Sequence, residues 1–458
     1  MGICGFTLKI KEYRVSLKQR HVTETSRMQK LYVHCPWSSG GEMLVRLALC
    51  VSLFCGISTH AAETKTPREE AQWMLERLTG VKWPADTPAL DDMANRIQAG
   101  DRVGAAEIAV SKPQFLNVTV KQMALKISSR EETVSEAFND FTAAFIGVTR
   151  DQTDARELLT GNFYYRGQTA ANNDLAADIL GSNNHYLRLA ELPNVGAALQ
   201  RVEGQMILQA PGVPVANPDP AGVLTSRAFL AAHAIAGTNR RLVEYTFREF
   251  MCSKIENFAD TNASDARIGR DIGRSPGGDP NKFQTSCKGC HTQMDGFRGA
   301  FAKWDFITNN GVAAASYLGV TTGGNLNPPV ALNNLVVLKM NRDRNPNIFI
   351  EFPSGYVSTN DSWVNNSNRS VNATRFGWTG AYVAGGNGVK TFGNLIANSS
   401  RFTSCMAKRV WDSVCKYNLP EAEAETLYVQ LGMKFASDNG YKLRELFKTV
   451  AAHPKCRM

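Results

Sequence analysis

Cys287, Cys290 and His291 lie within the five residues Cys287-Lys288-Gly289-Cys290-His291 of a 458-residue chain. Two thiols separated by two residues can hold zinc, exchange disulfides, or add across the two vinyl groups of one haem. A histidine directly after the second thiol selects the third chemistry. C-x-x-C-H is the attachment signature of a c-type haem, and its imidazole ligates the iron on one face. The ten cysteines contain no second C-x-x-C to complete a four-cysteine zinc site. The expectation is one covalently bound haem c, held by Cys287 and Cys290, with His291 as proximal iron ligand.

The ligand on the other face decides what such an iron does. A methionine raises the potential and suits electron transfer, whereas an open face admits peroxide or small ligands. Met294 stands one helical turn from His291, on the same side of the ring. Met340, 49 residues after His291, is the distal candidate, with Met406, Met251 and His233 as rivals. Arg267, Arg270 or Arg274 could pair with a haem propionate, since a guanidinium matches a carboxylate bidentately. His185 and His453 are expected to play ordinary core or solvent roles. The acidic run Glu131, Glu132, Glu136 and Asp140 has no His or Cys beside it and is expected on a solvated helix face. No Gly-x-Ser-x-Gly or Ser/His/Asp pattern supports a hydrolase.

The residues after the motif, His291-Thr292-Gln293-Met294-Asp295-Gly296-Phe297 and Gly299-Ala300-Phe301-Ala302-Lys303-Trp304-Asp305, resemble the haem segment of the planctomycete-type cytochrome c family. Gly222-Val223-Leu224-Thr225 looks like that family's lead-in to its haem domain. Arg401-Phe402-Thr403-Ser404-Cys405 through Gly440-Tyr441-Lys442-Leu443-Arg444-Glu445-Leu446 looks like its C-terminal helical domain. The resemblance covers residues 222–310 and 390–456. It implies a secreted monohaem redox protein and names no substrate.

Composition bounds the rest. With 43% hydrophobic and 20% charged residues, the chain belongs with globular proteins. The formal net charge is +9, but the first 62 residues hold eight Lys and Arg against three Glu, leaving a net of only +4 over the remainder. That is no nucleic-acid footprint. Residues 43–62 read as a signal peptide: Met43 and Arg46, an apolar run from Leu47 to Ile57, then small residues suited to cleavage beside Ala61 or Ala62. The run is too short to span a membrane, so no transmembrane segment is expected in the mature chain. Residues 1–42 are expected to come from a start codon placed too early. A periplasmic or secreted, cell-surface protein follows, working with a redox partner protein.

The pattern of elements predicts a mainly α fold. Residues 63–215 form an N-terminal helical domain, 221–310 a haem c domain, 311–390 a loop-rich Asn/Gly region and 391–458 a C-terminal helical domain. Helices are expected to end at Gly80 and Gly100, to run over Arg102–Val110, and to be capped at Asn139-Asp140 and by Thr225 or Ser226. The prolines at 211, 214, 218 and 220 mark a linker. Haem attachment leaves Cys252, Cys405, Cys415 and Cys456 to pair in an oxidising compartment. Ser404 to Tyr417 has no Gly or Pro and suits one helix. Ten residues of helix put Cys405 and Cys415 about 15 Å apart, beyond disulfide reach. Cys252 therefore joins Cys405 or Cys415, and Cys456 takes the other. The function expected is electron carriage. A haem-dependent oxidoreductase such as a peroxidase, or a redox sensor, is the alternative.

Overall fold

Helix-end chemistry in the sequence places the first helices. Thr66 accepts from the Glu69 amide while the Glu69 carboxylate takes the Thr66 amide at 2.7 Å, a reciprocal cap on α1 (Pro67–Thr79). Gly80, at φ +71°, closes that helix. α2 (Ala89–Gln98) and α3 (Arg102–Val110) follow, the latter capped by Asp101 through the Gly104 amide. This computed structural model describes residues 65–168, 175–209, 213–234, 239–269, 272–309, 312–317 and 360–457. The signal-like stretch 43–62 lies outside them.

The next helical segment begins as a π-helical stretch, Phe115–Val120, and continues as α4 (Lys121–Ser128). Asn139 caps α5 (Asp140–Asp151) by accepting from Thr142 N at 2.9 Å. The acidic run before it is not a helix face. Residues 129–138 form turns, and Glu132 pairs with Arg248 at 3.2 Å. Asp140 accepts from the amides of Arg227 and Ala228 at 2.6 and 3.0 Å, so it caps a second helix across space.

Residues 163–216 hold strands as well as short helices. β1 (Phe163–Gly167) pairs antiparallel with β2 (Leu199–Glu203), Phe163 opposite Glu203. β3 (Met206–Gln209) pairs antiparallel with β4 (Val213–Ala216). Ser226 caps α6 (Arg227–His233), and α7 (Arg240–Phe250) and α8 (Lys288–Phe297) follow. β5 (Trp304–Asn309) and β6 (Val312–Tyr317) form one ladder, β7 (Ser362–Val364) and β8 (Gly385–Asn387) another. The chain ends in α9 (Gly388–Ala397), α10 (Ser400–Val414), α11 (Glu421–Ser437) and α12 (Leu443–Ala451). The fold is mainly α, as the pattern predicts.

The proline-rich stretch near 211–220 does not divide the packing. Phe115 meets Phe447 edge-on at 5.0 Å, and Glu107 pairs with Arg444 and Lys448 at 2.7 Å each. The Gly222 amide donates to the Gly161 carbonyl at 2.9 Å. One apolar core runs from Ala71 on α1 to Cys456, and the described residues form one compact unit. The physical reason is that α3 and α12 bury their apolar faces against each other across the sequence boundary.

Two disulfides staple this unit. Cys252 pairs with Cys405 and Cys415 with Cys456, with Cα–Cα distances of 5.3 and 5.0 Å. This is one of the two connectivities the helix argument leaves open, since Cys405 lies within α10 and Cys415 at its end. Among the described residues, no helix is long and apolar enough to cross a membrane.

Candidate functional site around Cys287, Cys290 and His291

The motif is presented by α8 and by the π-helical turn Phe283–Cys287 that leads into it. The back of α8 is fixed by close backbone approach. A Cβ on Gly289 would sit 3.2 Å from the Ala259 Cβ, and the Gly289 carbonyl accepts from Asp260 N at 3.1 Å. The Thr292 hydroxyl donates to the Asp260 carbonyl at 3.0 Å, and Asn366 Nδ2 donates to the Thr292 carbonyl at 2.7 Å. Phe297 packs against Phe247 of α7 and Phe392 of α9 at 5.2 and 5.4 Å. At about 100° per residue, Cys287, Cys290, His291 and Met294 share an arc of about 100°, centred roughly opposite Gly289 and Thr292.

Cys287 and Cys290 are both free and partly exposed. Burial, with Glu256 and Cys287 nearby, pushes the Cys290 thiol up from its ordinary range. The His291 side chain is 21% exposed, yet its Nδ1 is enclosed and makes no hydrogen bond. Its exposure is therefore on its remaining atoms, and Nε2 is the nitrogen left for a metal. Among the described residues, no three His, Cys, Asp or Glu side chains converge where they could hold a metal ion. The two thiols and His291 are thus not gathered as zinc ligands would be. A haem asks less of them: two reachable sulfurs and one imidazole. The residues present fit that demand.

Behind the histidine stands a residue to which the sequence reading gives no role. Asp295 is fully buried, and its Oδ2 lies 3.7 Å from His291 Nδ1. Arg240, the first residue of α7, grips the carboxylate bidentately, Nε at 2.6 Å and Nη2 at 2.8 Å. The Gly269 amide donates to the same carboxylate at 3.0 Å, and the buried Arg298 approaches to 3.8 Å. Burial works to raise the Asp295 carboxyl, but the hydrogen bonds of Arg240 and the charge of Arg298 hold it well below the usual carboxylate range. The signal in the sequence is the i, i+4 spacing of His291 and Asp295, which puts both on one helix face.

Of the distal candidates, Met340 lies outside the described residues. Met251 and Met406 are buried in the apolar core. His233 stacks on Tyr245 at 4.1 Å, and Tyr245 sits about 160° around α7 from Phe247, the residue that meets α8. His233 therefore faces away from α8, and burial lowers its pKa to about 3. Of the propionate candidates, Arg274 donates to the carbonyls of Ile268, Gly269 and Ile272, closing its own loop. Arg267 donates to Ser362 Oγ at 3.2 Å, and Arg270 lies outside the described residues. His185 accepts from the Gly167 amide through Nε2 at 2.9 Å, and His453 packs beside Trp411. Compared with known proteins, the chain matches no family model, no curated protein and no solved structure.

Proposed function

We propose that this chain is an exported monohaem c-type cytochrome that carries electrons, its haem attached through Cys287 and Cys290 and ligated by His291. The observation that carries the reading is how the thiols divide. Of the six cysteines after residue 65, four are spent on disulfides, and the two left free are the pair beside His291. Thioether bonds to one haem give those two a partner suited to an oxidising compartment. The haem, when bound, supplies a one-electron couple whose potential its ligands and surroundings set. The chain's part is to enclose the imidazole on its Nδ1 side, keep the back of α8 rigid, and leave the thiol face accessible.

The resemblance to the planctomycete-type cytochrome c family supports the same reading. The signal-like residues 43–62 and the two disulfides support a periplasmic or secreted, cell-surface location. The partner is then a redox protein. The buried Asp295 favours a second reading, a haem-dependent oxidoreductase such as a peroxidase or a haem-based sensor, because a carboxylate behind a ligating histidine raises its basicity. Ferric protein from a host that matures c-type cytochromes separates the two. Slow or absent binding of cyanide and imidazole is the result expected of a six-coordinate carrier. Rapid binding would favour the second reading, and a reduced-minus-oxidised spectrum without a c-type band would overturn both.

A further inference from the structure

His291 Nδ1 is enclosed without a hydrogen bond, and the charged group beside it is Asp295 Oδ2, at 3.7 Å. That carboxylate cannot swing away. Arg240 holds both its oxygens, the Gly269 amide donates to Oδ2, and Arg298 stands at 3.8 Å. The whole group is buried, so its charge acts on the imidazole with little solvent screening. Resting on the haem reading above, we infer that Asp295 is a positioning residue for the iron ligand. It keeps the proton of His291 on Nδ1, leaves Nε2 to the iron, and lowers the reduction potential by making the imidazole a stronger donor. Arg240 sets how strongly it does so, because the carboxylate shares its charge between the guanidinium and the imidazole.

The geometry gives the two residues opposite signs. Asp295→Asn keeps the shape and an acceptor for Gly269 but removes the charge behind His291. Arg240→Gln leaves that charge and removes the closer of the two cations that offset it. A ligating histidine takes its tautomer and basicity from such a partner, and losing the partner is commonly felt 10–100-fold in metal affinity or activity. A role confined to packing would not make the signs differ.

The test is the midpoint potential of holoprotein carrying each substitution, with haem content measured in parallel. The expected result is a positive shift for Asp295→Asn, a negative shift for Arg240→Gln, and a value near wild type for Arg240→Lys. If Asp295→Asn does not fold, the contrast between Arg240→Gln and Arg240→Lys carries the same comparison. Unchanged potentials, or shifts of one sign in haem-loaded protein, would overturn the inference while leaving the cytochrome reading intact. Wild-type protein without covalent haem would overturn both.

Discussion

Replacing Cys252 and Cys405 together by alanine should cost more stability than replacing Cys415 and Cys456 together, although three of these four cysteines are equally buried. The difference lies in the unfolded chain. The bridges span 153 and 41 residues and follow one another along the sequence without overlap, so each restricts its own loop. In the chain-entropy model the longer loop is worth about 5 kcal/mol and the shorter about 4 kcal/mol, a gap of about 1 kcal/mol. Packing works slightly the other way, because Cys252 is only partly buried while Cys415 and Cys456 are both buried. Equilibrium urea unfolding of the two double variants and of wild type, with slopes compared to confirm equal surface exposure, reads the gap directly. A greater loss from the 415–456 pair, or a loss under 1 kcal/mol from either, would refute the loop argument.

Gly296→Ala should destabilise by about 1–3 kcal/mol, since its Cβ would lie 2.7 Å from the Val364 carbonyl oxygen. Gly299→Ala should cost at least as much, since its Cβ would press closer still on the Ser362 carbonyl; thermal melts compare both with the open position Gly273→Ala, where a Cβ meets nothing. Glu249 is fully buried, and burial pushes it up to about 7 despite Arg409 at 2.7 Å. Its folded pKa lies above its ordinary 4.5, so the unfolded chain gives up the proton first and the folded state loses stability as pH rises from about 4.5 through about 7. Unfolding free energies across that range should fall less steeply in Glu249→Gln than in wild type; identical slopes would contradict the assignment.

Much of the helical framework is legible in local chemistry. Gly80 ends its helix through a left-handed backbone, Asn139 and Ser226 cap theirs through their side chains, and Arg102–Val110 forms the helix its pattern predicts. What escapes a sequence reading is long-range. β1 is five residues long and meets its partner more than thirty residues later, so no tight turn between them signals the pairing. Asp140 looks like one carboxylate in an acidic run, and only the fold brings it to the amides of Arg227 and Ala228. The site divides the same way. Cys287, Cys290 and His291 announce themselves by spacing, whereas Arg240 reaches Asp295 from 55 residues upstream. Helix geometry excludes a Cys405–Cys415 bridge, but only tertiary packing chooses Cys405 over Cys415 as the partner of Cys252.

The central claim is that Cys287 and Cys290 carry one haem covalently. Intact mass spectrometry of denatured protein, from a host that matures c-type cytochromes, tests it most directly. The account predicts that wild type retains the mass of one haem after unfolding and that the Cys287→Ala, Cys290→Ala double variant retains none. Wild-type protein at the mass of its polypeptide alone, or a double variant still carrying haem, would contradict it.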